Sequence, residues 1–210
     1  MTSRRKLWLG SVLLYALFVS WYTDFGGPLT EAEIQDFVAK TDDRDLGGIA
    51  TRKTLLEFLR NDTGRQFLMI NAVDLAKNPP TIAGAPPNAD AQTLIDLYME
   101  YMIPELLSNA SHPVVVGKSV GNSLDLLGIE GAEQWSDGAV MRYRSRRTLM
   151  DIISNPEFYD RHDFKLAGLE KTIAYPIEPR IHLGDLRLML GLLLLAATAL
   201  IDGRLARRQP

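Results

Sequence analysis

Each end of this 210-residue chain carries an apolar run, and these two runs constrain the fold more than any other feature of the sequence. Residues 7–23 are uncharged throughout, and residues 188–201 form the second run. A helix needs about 17 to 25 predominantly apolar residues to cross a bilayer. The second run reaches that length if its helix starts near Leu183 and places Asp185 and Arg187 at the interface. The sequence therefore predicts transmembrane helices over residues 7–23 and 183–203.

The charges that flank the two runs predict their orientation. Cations lie at the outer side of each run: Arg4, Arg5 and Lys6 before the first, and Arg204, Arg207 and Arg208 after the second. Because cytoplasmic segments are enriched in Lys and Arg, residues 1–6 and 204–210 are expected in the cytoplasm. The chain is then a two-pass protein of a bacterial inner membrane, with its middle part in the periplasm and the lipid bilayer as its first partner.

Both membrane assignments have an alternative. A cleaved signal peptide would share the cationic start of the first run, but it should end in small residues. Here Trp21 and Tyr22 close the run like an interfacial aromatic belt, which favours an uncleaved signal anchor. For the second run, the alternative is a buried or interfacial helix at the C-terminal end.

Composition excludes several classes of function for the middle part. Residues 24–182 hold 24 acidic and 16 basic side chains, a net charge of −8, which should repel a polyanion such as a nucleic acid. The chain has no cysteine, so disulfides, thiolate metal sites and cysteine nucleophiles are excluded. Its histidines show no metal-ligand spacing, and we expect neither a metal nor a cofactor.

The middle part divides into a short helical segment and a mixed domain. Residues 24–62 are predicted to form two helices, the first opened by a capping box of Thr30 and Glu33, which together act as a stalk or lid. Residues 63–180 then alternate between strand and helix patterns. The strands are predicted at 67–73, 113–120, 138–144 and 172–177, and the helices at 90–107, 146–153 and 156–171. This β-α-β-β-α-β order predicts an α+β, ferredoxin-like fold.

The end of this domain carries a recognisable pattern. Tyr143 and Ser145 form a Tyr-x-Ser step between strand and helix, followed by Asn-Pro-Glu-Phe at 155–158 and Ala-x-Leu-Glu at 167–170. With these motifs, about half of the chain resembles the dimeric α/β-barrel superfamily. The similar branch consists of small domains of unknown function, related in fold to antibiotic-biosynthesis monooxygenases and EthD-like proteins. The resemblance implies the ferredoxin-like fold, and it implies no particular reaction.

His162 is the candidate catalytic residue. Helical spacing places it on one face with Phe158, Tyr159, Leu166 and Leu169, the face expected to meet the sheet. An imidazole there could act as acid or base toward a ligand in the barrel. The alternative, which the residues favour, is a core histidine held by one hydrogen bond.

Four residues on two strands are candidate ligand contacts. Arg142 and Arg144 share a strand face, and guanidinium pairs suit a carboxylate or phosphate. Tyr143 lies between them in the Tyr-x-Ser step, and Asn71 shares a strand face with apolar neighbours, where a buried amide needs partners. For Arg142 and Arg144, the alternative is a strand end beside a solvated first helical turn at residues 146–147, paired with nearby carboxylates. For Asn71, the alternative is a hydrogen bond that only fixes the fold.

Two functions are compatible with these features. The first is a membrane-tethered ferredoxin-like module that acts in binding or assembly, with a membrane protein as a compatible partner. The second is a cofactor-independent enzyme of the monooxygenase or isomerase kind, with His162 and Arg142 around a small apolar substrate. The sequence does not decide whether the chain is an enzyme.

Because Ile173, Tyr175 and Ile177 make one sheet face apolar, we also expect a homodimer packed sheet to sheet.

Overall fold

The computed structural model describes residues 2–41 and 52–207 of the chain. It contains two compact units, one formed by Gly26–Glu178 and the other by Met1–Phe25 together with Pro179–Pro210. The described residues form seven helices and four strands: α1 Ser3–Tyr22, α2 Glu31–Thr41, α3 Arg52–Arg60, β1 Phe67–Leu75, α4 Ala91–Ser108, β2 His112–Lys118, β3 Asp137–Tyr143, α5 Arg146–Ser154, α6 Pro156–Gly168, β4 Leu169–Ile177 and α7 Leu186–Arg207.

The Gly26–Glu178 unit is built on one four-stranded sheet. The strand order is β2-β3-β1-β4, and every neighbouring pair is antiparallel. The helices α4 and α6 pack against each other in one layer beside this sheet. The arrangement confirms the predicted α+β class and the β-α-β-β-α-β order, which is that of a ferredoxin-like domain.

The two faces of the sheet differ in cover. Alternate residues of a strand point to opposite faces, so Met69, Asn71 and Val73 of β1 share one face and lie beside α4. On the other face Ile70 pairs with Tyr175 of β4, and the register brings Ile173 and Ile177 to the same side. These three β4 side chains are 37% to 49% exposed, so this face is apolar and accessible.

The helices α2 and α3 share the core of the same unit. The predicted capping box is present at the start of α2, where the Thr30 backbone N–H donates to Glu33 at 2.8 Å and the Glu33 N–H donates to Thr30 Oγ1 at 3.3 Å. The buried side chains of the two helices, Ile34, Phe37, Leu55 and Leu59, belong to the same core cluster as Phe67 of β1. Residues 42–51 of the predicted stalk or lid lie outside the described residues.

The second unit is a pair of antiparallel helices. Among the described residues, α7 is the one helix long and apolar enough to cross a membrane. The helix α1 spans 20 residues, but its first turn contains Arg4, Arg5 and Lys6, and tryptophan and tyrosine lower its hydropathy further. The prediction of a transmembrane helix at each end is therefore supported at the C-terminal end only.

Polar contacts recur along the length of α1 and α7. Arg4 binds Asp202 at one end, with Nη2 to Oδ2 at 2.8 Å. The hydroxyls of Ser11 and Thr198 share a hydrogen bond of 2.6 Å, and a Cβ on Gly191 would contact the Tyr15 ring. At the far end Arg187 donates to Thr23 Oγ1 at 3.2 Å. The order of these contacts shows that α1 packs antiparallel along most of α7.

Candidate functional site

A cavity of about 420 Å³ lies between α4, α6 and the helix-facing side of the sheet. Its walls come from four strands and two helices, and most of the lining side chains are apolar. The lining consists of Met69, Asn71, Val73, Leu75, Gln92, Ile95, Asp96, Tyr98, Met99, Met102, Ile103, Leu106, Pro113, Val116, Asp137, Gly138, Ala139, Met141, Tyr143, Lys165 and Leu169. Four of the chain's seven methionines are among them, which gives the cavity a flexible, polarizable wall.

Two buried phenols face this cavity. Burial raises the pKa of Tyr143 to about 12, and burial, reinforced by the nearby Tyr143, raises the pKa of Tyr98 well above its ordinary value. Phe67 stacks on the Tyr143 ring with centroids 5.0 Å apart, which fixes its plane. Both phenols therefore stay protonated at neutral pH and can donate a hydrogen bond to a ligand.

Lys165 of α6 is the cation of the cavity lining. Its side chain is half-buried, and its Nζ lies 5.7 Å from the centroid of the Tyr98 ring. It forms no ion pair with a carboxylate of the described residues, and burial lowers its pKa below the ordinary value of 10.5. The cavity thus holds an ammonium group that is only partly compensated by the protein.

Two of the predicted site residues, Asn71 and Tyr143, line the cavity. The Asn71 amide Nδ2 donates to the carbonyl of Met69 at 3.0 Å and to that of Ala139 at 3.4 Å. These bonds tie the side chain to its own strand and to β3. Asn71 therefore fixes the local fold and also lies where a ligand would contact it.

His162 lies outside the residues that line the cavity. It is buried in the helical layer, where its ring stacks on Phe158 with centroids 4.8 Å apart and meets the edge of Tyr98 at 6.0 Å. Leu166, which the helical spacing placed on the same inner face, is instead exposed. The enclosure of His162 between aromatic rings favours the interpretation as a core histidine, and its catalytic role stays a prediction.

Arg142 and Arg144 are not brought to the cavity either. Arg142 is fully buried, and its guanidinium donates to Gln66 Oε1 at 2.7 Å and to the carbonyl of Ala110. Arg144 follows the end of β3, where its backbone N–H donates to Ser111 Oγ at 3.1 Å. These contacts hold the sheet to the turn after α4, so the predicted guanidinium pair does not converge on this site.

The following turn of α5 carries a buried ion cluster that the sequence did not indicate. Arg146 was expected on a solvated first turn, but it is buried between Asp62 at 3.4 Å, Glu178 at 3.0 Å and the Phe58 ring at 4.3 Å. Arg147 matches the expectation of a partly exposed pair, with Nε at 2.7 Å from Glu33 Oε1. That bond, with those from Thr30, lowers the pKa of Glu33 to about 2.

Tyr98 and Lys165 are among the cavity residues that the sequence did not indicate. A lysine on a helix is ordinarily expected to face water, so residue type alone does not predict Lys165 on the inner face. The spacing nevertheless carried the signal, because positions 158, 162, 165 and 169 follow the i, i+4, i+7, i+11 repeat of one helical side. Of the described residues, no group of three or more His, Asp and Glu side chains is placed to hold a metal ion.

Comparison with known proteins supports the fold. No protein family model and no curated protein matches the chain. Among solved structures the chain is similar to RPA0582, a protein of unknown function from Rhodopseudomonas palustris, with 19% identity and a TM-score of 0.53 over 63% of this chain and 96% of that chain. The methylated form of RPA0582 gives 19% identity and a TM-score of 0.54, over 63% of this chain and 93% of that chain.

A more distant similarity is to a dimeric protein of unknown function and ferredoxin-like fold from Bacteroides fragilis. It has 9% identity and a TM-score of 0.33 over 54% of this chain and 96% of that chain, too remote to carry an argument. The similarity to RPA0582 shows a shared fold and nothing about activity. The specific branch of the dimeric α/β-barrel superfamily that the sequence resembles stays a prediction.

Proposed function

We propose that the protein is a membrane-tethered ferredoxin-like module that binds a small apolar ligand in the cavity beside α4. The observation that supports this most is the cavity itself, at about 420 Å³ with a mostly apolar lining. Ligand sites in proteins commonly measure about 300 to 1,000 Å³ and combine an apolar wall with a few polar groups that orient the ligand. Here those groups are Asn71, Tyr98, Tyr143 and Lys165.

The tether is the pair of helices α1 and α7. The side chains of α1 and α7 that point away from each other form an exposed apolar surface, which includes Leu13, Leu17, Leu192 and Leu193. A helix of 20 residues is about 30 Å long, the thickness of a bilayer core. Because α1 runs antiparallel along α7, we propose that both helices cross the membrane, with both termini in the cytoplasm and the ferredoxin-like unit in the periplasm.

We also propose that the protein is a homodimer. Its support is the accessible sheet face, where Ile173, Tyr175 and Ile177 of β4 lie beside Ile70 of β1. A contiguous apolar face of this kind is unusual on a monomer. A second copy packed on it with the same face would cover both surfaces at once, as isologous dimers do.

The alternative, a cofactor-independent enzyme of the monooxygenase or isomerase kind, has less support. It depended on His162 and Arg142 surrounding an apolar substrate, and neither side chain lines the cavity. Because the cavity is mostly apolar and neither His162 nor Arg142 lines it, the cavity favours ligand binding over catalysis.

The methionines of the chain allow a direct test of ligand binding. The full chain, labelled with ¹³C at the methionine methyls and placed in lipid nanodiscs, is titrated with phenylbutanol as a neutral apolar probe. We expect saturable shifts at Met69, Met99, Met102 and Met141, which line the cavity, and no shift at Met150 in the core. Met189 on α7 reports partition of the probe into lipid.

A matched pair of variants locates the binding site. Ala139→Leu adds volume inside the cavity, whereas Ala72→Leu adds the same atoms to the opposite face of the sheet. We expect the first variant to abolish the four methyl shifts and the second to leave them intact. Shifts confined to Met189 in the wild-type chain would contradict the proposed function.

A further inference from the structure

The charged side chains of the cavity lining are one ammonium, that of Lys165, and two carboxylates, those of Asp96 and Asp137. Lys165 brings an ammonium group, and Tyr98 and Tyr143 bring phenols that stay protonated. The carboxylate of Asp96 accepts from Gln92 at 2.8 Å on the exposed side of α4. Asp137 is half-buried at the start of β3. A ligand carboxylate would therefore find an ion-pair partner in Lys165, whose ammonium pairs with no carboxylate of the described residues.

We propose that the ligand is an apolar molecule with a single carboxylate, and that the Lys165 ammonium binds that carboxylate while the apolar body fills the space between α4 and the sheet. This inference rests on the proposed function, because it names the ligand class of the same cavity. It makes Lys165 a binding residue and gives it no part in a bond-breaking step.

The energetics of a half-buried lysine favour such a ligand. Removing an ammonium group from water without a counter-charge is unfavourable, and the lowered pKa of Lys165 reflects that desolvation. A bound carboxylate would supply the missing charge and accept a charge-assisted hydrogen bond, which is among the stronger kinds in proteins. The Tyr98 ring beside Nζ offers only a weaker cation–π contact, so it would not compete with an anion.

The remaining lining sets the shape of the ligand. Methionine, isoleucine and leucine side chains from α4 and the sheet surround the rest of the space. A second charge on the ligand would lie against these side chains without a partner and would weaken binding. Aryl-alkyl acids and acids of medium chain length fit this description, with the carboxylate at Lys165 and the chain toward Met102 and Met141.

The test compares three probes that differ in one group: phenylbutyrate, phenylbutyramide and phenylbutylamine. Each is titrated calorimetrically into the full chain in nanodiscs, with empty nanodiscs as the blank. In the wild-type chain we expect the acid to bind about tenfold more tightly than the amide, and the amine to bind most weakly. This comparison needs no substitution, so it does not depend on the folding of a variant.

Two lysine variants assign the preference to a residue. Lys165→Met should weaken phenylbutyrate binding about tenfold and phenylbutyramide binding much less, so that the preference for the acid is lost. Lys77→Met, which removes the same charge from an exposed position outside the cavity, should change neither. Lys165→Arg, which keeps the cation, should restore most of the preference for the acid.

The contrary outcomes separate this inference from the proposed function. Equal binding of acid and amide, with methyl shifts at the four cavity methionines, would overturn the carboxylate assignment and leave the apolar site in place. Tighter binding of the amine would overturn it in favour of Asp96 and Asp137. Absence of binding for all three probes together with absence of methyl shifts would contradict both proposals.

Discussion

At the scale of single residues, the half-buried Lys165 affects the stability of the native state. Its ammonium is partly desolvated without an ion pair among the described residues, which destabilises the native state wherever the amine is charged. Positions with this property are common where a site is built for a ligand rather than for stability. The same position gives a prediction that does not depend on any ligand.

Lys165→Met should raise the free energy of unfolding near neutral pH. The native pKa of Lys165 lies below its unfolded value of 10.5, so the unfolded chain binds the proton more tightly. The penalty from Lys165 is therefore complete below its native pKa and disappears as pH rises toward 10.5, so the contribution of this residue to stability becomes more favourable through that window. Urea unfolding of both proteins at about pH 7 and about pH 10 should show their difference shrinking.

The exposed Lys77 serves as the control for this comparison. Lys77→Met removes an identical charge where no burial is involved, and it should leave stability within about 0.5 kcal/mol at both pH values. A Lys165→Met chain that is less stable than wild type near neutral pH would show instead that the ammonium makes a favourable contact in the native state.

Sequence patterns identified some of the cavity residues and not others. Strand alternation and the Tyr-x-Ser step brought out Asn71 and Tyr143, and both line the cavity. His162 and Arg142 are both buried, but burial alone does not say which space a side chain faces, and their roles as site residues stay predictions. That depends on how α6 rotates against α4, which is a tertiary property.

At the scale of elements, Arg146 connects three parts of the ferredoxin-like unit. It stands at the start of α5, its partner Asp62 follows α3, and Glu178 follows β4. Its guanidinium also lies over the Phe58 ring and donates to the Phe58 carbonyl. The Asp62 side chain is 1% exposed, so its charge depends on this arginine for compensation.

Arg146→Met should destabilise the protein by about 3 to 5 kcal/mol, because it leaves the buried Asp62 carboxylate without its cation. Arg147→Met is the matched control, since its partner Glu33 has a side chain 36% exposed and water can replace the lost contact. That variant should cost less than about 1 kcal/mol. Chemical unfolding of the two variants measures both values, and equal losses would show that the Arg146 cluster is hydrated.

The order of elements was predictable, whereas some of their ends were not. The strand and helix patterns from β1 to β4 are strong because each element buries one face or both. The helix α6 was expected to continue to residue 171, but it ends at Gly168. The strand β4 begins at Leu169 because that residue pairs with Leu75 of β1 and lines the cavity. Pairing between distant segments leaves no local signal in the sequence.

At the scale of the whole molecule, the accessible sheet face predicts the state of assembly. If two copies pack face to face, Tyr175→Lys would place a charge on each side of the interface, since the twofold axis repeats the substitution. We expect the dimer dissociation constant to rise about a hundredfold, because each lysine would lose its hydration in an apolar contact. Light scattering of the full chain in detergent measures the change in mass.

Ala174→Lys is the control for this substitution. It lies next to Tyr175 on the same strand, but its register partner is Asn71, so it points to the opposite face of the sheet. This variant should remain dimeric. A wild-type chain that is monomeric at the highest accessible concentration would contradict the homodimer.

The arrangement of the chain across the membrane can be tested because the protein contains no cysteine. Single cysteines are placed in the middle part, as Lys77→Cys and Asp125→Cys, and near the ends, as Thr2→Cys and Gln209→Cys. The two middle positions are exposed, so a maleimide that cannot cross the membrane should label them in intact bacterial cells with a permeable outer membrane. With the proposed orientation, the two terminal positions should react only after the inner membrane is opened, because segments rich in Lys and Arg stay on the cytoplasmic side. If the middle positions are labelled, labelling of Gln209→Cys in intact cells as well would show that α7 does not cross the bilayer, and labelling of Thr2→Cys would show the same for α1.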